Sequence, residues 1–528
     1  MASSGPGKWP YVLGIFVLAF LAFAAFLASR ATDIQERTRL WVVQELSRRF
    51  ESHVDLKSIE VQVWPTIGVT GQGLSIQYRN RPDIEPLIRI DKFTFHTGLL
   101  AVLRSPRRIA SIHLTNMVIT IPPKEQRVEA PDDSQSLLKP KVSVDEIICD
   151  NTVLLVLPRK SGKEPLDFEI HNLVLNKVGV EKPFDFHGSL TNAKPIGEII
   201  TQGKFGPWSI DAPGDSPVSG AYQFTDANLD PLAGIAGTLS SLGKYSGQLN
   251  RIEVQGETDT PNFSLDKVGG KIPLHTDFSA TVDGTNGDTF LHPVRATLGH
   301  SIFIANGSVI GVPVRDGHII SLDIVSSKAR LEDALSLAVK SEKPFVMGPM
   351  NLRTKLLITP GKMKTLERLT LDGDFALPEA LFTSPKVREQ LASLSRHGLG
   401  KPSSQNAGSA ASEMKGHFHL EHGVIAFRDL QFSVEGASVL LSGPYNLNEQ
   451  QMDFHGQLRM QATMSQTIGG VKSVFVKPFD PLYKKDGAGT VLPVSITGPS
   501  DHPTMATTVF HKTLKKQMGT VTPTAKSQ

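Results

Sequence analysis

From Ile59 to Met460 the chain alternates apolar and polar side chains in short runs, over and over. Ile59, Val61 and Val63 stand against Glu60 and Gln62, and Phe278, Ala280 and Val282 against Asp277, Ser279, Thr281 and Asp283. Ile320, Leu322 and Ile324 flank Ser321 and Asp323, while Leu369, Leu371, Phe375 and Leu377 oppose Thr370, Asp372 and Asp374. Leu430, Phe432 and Val434 repeat the pattern, followed by Met452, Phe454, Leu458 and Met460. A period of two gives each strand one apolar and one polar face. With 45 glycines and 35 prolines to break the runs, strands and turns are favoured over long helices. The expected fold is mostly β. It is an N-terminal transmembrane helix followed by an elongated, curved, largely antiparallel, trough-like sheet with a few short helices.

Some runs change parity midway. Ile88 and Ile90 lead to Phe93 and Phe95, and Ile112 and Leu114 lead to Met117, Ile119 and Ile121, which calls for a bulge or a strand break. Helical spacing is expected near Leu229–Leu242, Ser327–Val339 and Lys386–Arg396, and again after Ala462. Two polar stretches, Pro122–Lys141 and Gly398–Ser412, have linker composition.

Pro10 to Ala28 reads PYVLGIFVLAFLAFAAFLA between Lys8 and Arg30, with no charge inside it. That length suits a membrane-crossing helix, and Trp9 and Tyr11 stand where interfacial aromatics belong. A cleaved signal peptide is the competing reading. The expected order is an anchor (1–31), a juxtamembrane amphipathic helix (32–57), a long β region (58–397), a linker (398–412), a C-terminal β region (413–511) and a polar tail (512–528). The amphipathic stretch rests on Leu40, Val43, Leu46 and Phe50 behind the capping pair Thr32 and Gln35. The bulk of the chain is expected on the far side of the membrane from the N-terminus.

Motifs for chemistry are scarce. There is no His-Glu-x-x-His, no Gly-x-Ser-x-Gly and no phosphate loop. Cys149 stands alone, which excludes an internal disulfide or a thiolate cluster within the chain. Asp226, Asn228 and Asp230 have calcium-loop spacing, but Pro231 takes the glycine turn position and Gly237 the bidentate-glutamate position. His417, His419 and His422 are the densest imidazole group, and alternation with Phe418 and Leu420 explains them as solvent-facing without a metal. The net charge of +3, from 55 basic and 52 acidic residues, comes with no basic stripe for nucleic acid. No enzyme activity, cofactor or metal is expected.

Three segments resemble the AsmA-like family of bacterial envelope proteins. These are WPTIGVTGQGLSIQY (Trp64–Tyr78), HGVIAFRDLQFSVEGASVLLSGPYNLNEQQMDFHGQL (His422–Leu458) and LPVSITGPSDHP (Leu492–Pro503). The resemblance implies a bacterial inner-membrane anchor, a periplasmic body and a role in outer-membrane biogenesis. Larger relatives look like bridge-type lipid-transfer proteins with an apolar groove. No catalytic residue carries over, and this chain is short beside the longest members.

An amphipathic sheet has to hide its apolar face against another sheet, helices or a ligand. Helical sequence is scarce here, so the expected partner is phospholipid or another envelope lipid, with envelope proteins as further partners. The alternative is a non-catalytic scaffold or assembly factor for outer-membrane proteins. Leu369, Leu371, Phe375, Leu377, Phe432, Phe454, Leu458 and Met460 are the expected groove lining. Met464, Ile468, Val471, Phe475 and Phe479 recur at spacings of a helical stripe, with Lys472 and Lys477 making it basic. This distal helix is expected to plug the end of the sheet or lie on an anionic membrane.

Overall fold

The computed structural model describes residues 35 to 507, short of 51, 63–66, 78–84, 98–106, 122–141, 158–164, 180–181, 208–212, 233, 266–269, 313–316, 339–343, 345, 362, 402–411, 469–488 and 500–502. The expected membrane segment, Pro10–Ala28, lies outside these residues. Among the described residues no helix is long and apolar enough to cross a membrane. The protein is mostly β and largely antiparallel, with few and short helices. It divides into two compact units: 1–232, 236–261 and 277–290 form the first, and 233–235, 262–276 and 291–528 the second.

The first unit opens with helix α1 (Gln35–Phe50) and then carries strands β1 (Val54–Gln62), β2 (Ile67–Ile76), β3 (Ile88–Thr97), β4 (Arg107–Ile121), β5 (Val142–Val156), β6 (Leu166–Val178), β7 (Phe184–Ala193), β8 (Ile196–Phe205), β9 (Pro217–Asn228), β10 (Thr238–Gln248) and β11 (Arg251–Phe263). The amphipathic helix therefore stops seven residues before the expected 57, and a strand begins at Val54. Neighbours in this series pair antiparallel except β4 and β5, which run parallel. Parallel neighbours need a long return connection. At ~3.3 Å per residue a 15-residue strand runs about 50 Å, and the stretch between the two strands in sequence, 122–141, lies outside the described residues. Val42 and Leu46 of α1 pack with Val54, Leu74, Ile90, Phe93, Phe95, Ile112 and Ile147 in one buried cluster.

The parity changes are features of continuous strands. Gly73 in β2, Asn116 in β4 and Asn151 in β5 take positive φ (65°, 53° and 53°). They lie at one level of the ladder, for Gly73 falls between the pairs Gln72–Lys92 and Leu74–Ile90. Asn116 falls between Lys92–Thr115 and Ile90–Met117. Because each strand carries the shift at the same height, partners stay in register and the apolar face remains whole. β7 lacks the shift, and a bulge at His171, between the pairs Ile170–Leu190 and Asn172–Ser189, absorbs the difference.

β12 (Ile272–Val282) and β13 (Thr289–Leu298) follow. The second unit then carries β14 (Ser301–Gly311), β15 (His318–Arg330), α2 (Leu331–Ala338), β16 (Val346–Met347), β17 (Pro349–Ile358), α3 (Thr365–Arg368), β18 (Leu369–Phe382), α4 (Pro385–Gly398), β19 (Ser412–Glu421), β20 (Val424–Val434), β21 (Ala437–Asn446), β22 (Gln451–Met460), α5 (Met464–Ile468), β23 (Thr490–Pro499) and β24 (Thr504–Thr507). β14, β15 and β17 to β24 form an antiparallel ladder in that order, with β16 on the end of β18. β18 pairs directly with β19, so the 398–412 linker does not divide this ladder.

Two helix expectations need correction. Residues 229–242 form a turn and then β10, because Gly234 and Gly237 take φ of 100° and 134° and break the apparent apolar stripe. Ser327 to Arg330 continue β15, and the helix starts only at Leu331, behind which Glu332 and Asp333 suit a first turn. The Lys386–Arg396 expectation corresponds to α4, which begins with Pro385 at its first position. Beyond α5, the stripe residues Val471, Lys472, Phe475, Lys477 and Phe479 lie outside the described residues.

Candidate functional site: an apolar sheet face in the second unit

Register converts the alternation into continuous apolar rows. One row crosses six strands as Leu377, Met414, Phe432, Val439, Leu458 and Leu492, each opposite the next. A second crosses seven as Leu322, Leu356, Leu371, Leu420, Ile425, Tyr445 and Met452. All eight expected lining residues belong to this one face.

Between the rows sits a group of phenylalanine rings. Phe375 lies 6.2 Å from Phe418 and 6.1 Å from Phe427, and Phe427 lies 5.8 Å edge-on to Phe454, within the usual range for aromatic pairs. Glycines stand opposite several of them: Gly416 faces Phe375, Gly373 faces Phe418 and Gly443 faces Phe427. The bare backbone leaves room for each ring to lie across it. Gly443 has a second reason to be glycine, since its φ is 145° and a Cβ there would meet the Asp453 carbonyl oxygen at 2.0 Å.

Burial along the face is graded. Leu377 and Leu492 are 0% exposed and Met460 is 3% exposed. This is the end where α4 lies, and its Leu391 and Leu394 pack against the buried cluster that includes Val439, Phe454, Leu458 and Met460. Ala462 donates its N–H to the Gly398 carbonyl at 2.8 Å, tying the start of α5 to the end of α4. Met464 of α5 is buried. Toward the other end, Leu369, Leu371, Phe375, Phe418, Phe427, Tyr445 and Met452 are only half-buried. The face is thus a closed core at one end and solvent-accessible apolar surface at the other.

The opposite face is polar. Gln457 is exposed there and Asp372 is half-buried. His417 Nδ1 lies 3.0 Å from Asp374 Oδ1 and His419 Nδ1 lies 3.0 Å from Asp372 Oδ2. The His419 contact, assisted by the nearby His417, holds the Asp372 carboxyl below its usual range. His422 sits in the β19–β20 hairpin turn, where His422 and Gly423 take φ of 50° and 78°, as a two-residue turn with both centres left-handed requires. His417 and His419 both approach Asp372 Oδ2, at 3.6 and 3.0 Å, while His422 is set apart from them on the turn. Asn228 and Asp230 likewise spend side-chain oxygens on the β9–β10 turn, through Asp230 N–H to Asn228 Oδ1 (3.0 Å) and Gly237 N–H to Asp230 Oδ1 (3.4 Å). Cys149 is buried, and burial together with the Asp150 charge pushes its thiol up to about 12, far from a nucleophile's range.

In the first unit the corresponding face changes character along the ladder. It is aliphatic through β6, but in β8 to β10 hydroxyls and glycines enter it. Tyr222 lies opposite Gly243 and Tyr245 opposite Gly220. The Tyr245 hydroxyl bonds Thr201 Oγ1 at 2.8 Å, and the Tyr222 hydroxyl bonds Ser241 Oγ at 3.1 Å. Sequence reasoning passed over these tyrosines because their strands lack bulky alternation.

Compared with known proteins, the chain matches no protein family, no curated protein and no solved structure.

Proposed function

We propose that this protein binds or conducts lipid along an apolar β-groove, as a single-pass protein of the bacterial inner membrane. In this reading its bulk lies in the periplasm, its strands form an elongated, curved trough, and it serves outer-membrane biogenesis. The envelope setting rests on the apolar stretch Pro10–Ala28 and on the resemblance of Trp64–Tyr78, His422–Leu458 and Leu492–Pro503 to AsmA-like proteins. The observation that carries lipid binding is the continuous apolar face from β15 to β23, whose Leu371, Phe375, Phe427 and Met452 stay accessible to solvent. Apolar surface of that extent on a folded protein marks a binding surface. Acyl chains would lie along the rows with headgroups toward the accessible end, and no bond would be made or broken.

Photo-crosslinking amino acids placed one at a time in the full chain test this. Phe375 and Phe427 positions are expected to capture lipid, and Asp372 and Gln457 positions, on the polar face, are not. Equal capture from both faces, or none from either, would overturn the groove and leave a non-catalytic scaffold as the reading.

A further inference from the structure

We infer that the polar face of the second unit holds a second, separate ligand site, built for a phosphate-bearing anion. A concavity of about 760 Å³ opens there, lined on one side by Arg295, Lys328 and Arg353 and floored by Ile302, Ile304 and Val325. The register explains the gathering. Ile302 pairs with Lys328, Ile304 with Val325, Val325 with Arg353, and Arg353 with Asp374, so these side chains share one face across β14, β15, β17 and β18.

β15 carries an extra residue against both neighbours at this height, with register shifts at Ile302/Ile304 and Ser326/Ala329. The Ser326 hydroxyl pins that bulge by donating to the Ile302 carbonyl (2.6 Å) and accepting the Lys328 N–H (3.1 Å). β20 bulges at the same wall, between the pairs Lys415–Gln431 and Phe418–Phe427. Bulges re-aim side chains and deepen local twist, and here they turn a flat polar face into a hollow.

The charges decide what the hollow takes. Its carboxylates are already engaged: Asp374 bonds His417 Nδ1 at 3.0 Å and Asp429 accepts the His417 N–H at 2.9 Å. Lys415, at the rim, is paired with Glu413 at 3.2 Å. Arg295, Lys328 and Arg353 make no ion pair among the described residues. Arg295, Lys328 and Arg353 stand against the two carboxylates Asp374 and Asp429, whose hydrogen bonds do not cancel their charge, so the hollow keeps a positive excess that an anion placed among the cations would offset. Guanidinium groups match phosphate oxygens in a two-point geometry, and lysine adds a point charge. The aliphatic floor, with Val325 41% exposed, suits a ligand that also carries an apolar part. A phosphate on a lipid headgroup and a free phosphate share the recognised chemistry. The site faces away from the proposed groove and does not depend on it.

The test uses the full chain in a neutral detergent, titrated calorimetrically with inorganic phosphate, dihexanoyl phosphatidic acid and dihexanoyl phosphatidylcholine. Saturable binding of the first two is expected, or of phosphatidic acid alone if the floor contributes. Loss of one charged hydrogen-bond partner typically costs a factor of roughly ten or more, so Arg353→Gln and Lys328→Gln should each weaken binding by at least about tenfold. Arg459→Gln, a distant cation on the same face, should leave it unchanged. If Arg353→Gln does not fold, Lys328→Gln carries the comparison. No binding of either phosphate ligand, or unchanged affinity for both in the two site variants, would overturn the proposal, whereas phosphatidylcholine binding that these variants leave unchanged belongs to the groove, which is judged by crosslinking alone.

Discussion

Leu377 and Leu371 lie on the same strand, β18, three two-residue repeats apart, and both point to its apolar face. Leu377 is 0% exposed and packs with Ala329, Val346, Met350 and Ala380; Leu371 is half-buried in the accessible row. Truncating a leucine to alanine removes about 2.4 kcal/mol of transfer free energy, at ~0.8 kcal/mol for each of three methylene equivalents, when burial is complete. An enclosed cavity adds to this, giving about 3 to 4 kcal/mol for Leu377→Ala. At Leu371 solvent fills the space and part of the side chain is already wet, so about 1 to 1.5 kcal/mol is expected. The difference, about 2 kcal/mol, corresponds to roughly a 30-fold difference in local opening. Amide hydrogen exchange over β17 to β19 reads it directly, with no need for all-or-none unfolding. Equal losses at the two positions would refute the reasoning, because the far end of the face would then be an ordinary closed core and not a place for a ligand.

Cys149 is expected to resist a thiol reagent at pH 8 in the folded protein and to react once unfolded; rapid labelling of the native chain would contradict its burial and its thiol held at about 12. The Asp372 carboxyl is depressed by its contact with His419, so its contribution to stability is fully present above the ordinary carboxylate value near ~3.9 and fades as pH falls through the lower folded value. Asp372→Asn should therefore lower the protection of β18 and β19 amides at pH 5 by less than about 1 kcal/mol, because the group is largely solvated, and the deficit should shrink as the solution is acidified through the carboxylate range. A deficit that grows toward low pH would show the sign to be wrong.

How much of this was legible in the sequence depends on the range of the interaction. Which residues of a strand share a face is a local property, so Leu369, Leu371, Phe375 and Leu377 could be grouped from spacing alone. The parity shifts at Asp91 and Asn116 were visible too, but their alignment across β1 to β5 was not, because register joins residues far apart in the chain. Parallel pairing of β4 with β5 leaves no mark on either strand; only the length of the 122–141 stretch permits it. The stretch 229–242 misled for a physical reason. Its leucines recur at helical spacing, yet Gly234 and Gly237 adopt backbone conformations that no helix contains.

The polar face shows the same limit from the other side. His417 and His419 were readable as outward-facing from their alternation with Phe418 and Leu420, but their partners Asp374 and Asp372 come from a strand separated from them by α4 and the 398–412 linker. Arg295, Lys328 and Arg353 sit in three different strands, and nothing in their individual contexts sets them apart from other surface cations. Lys328 and Arg353 are set on one face by β15 and its extra residue, whose bulge is held by the Ser326 hydroxyl. A single serine, unremarkable by composition, thus shapes the hollow that those cations line. Removing its hydroxyl leaves the Lys328 N–H without that acceptor and frees the bulge to relax. Ser326→Ala is accordingly expected to weaken phosphate binding without touching any cation, and an unchanged affinity in that variant would show that the bulge is not what positions them.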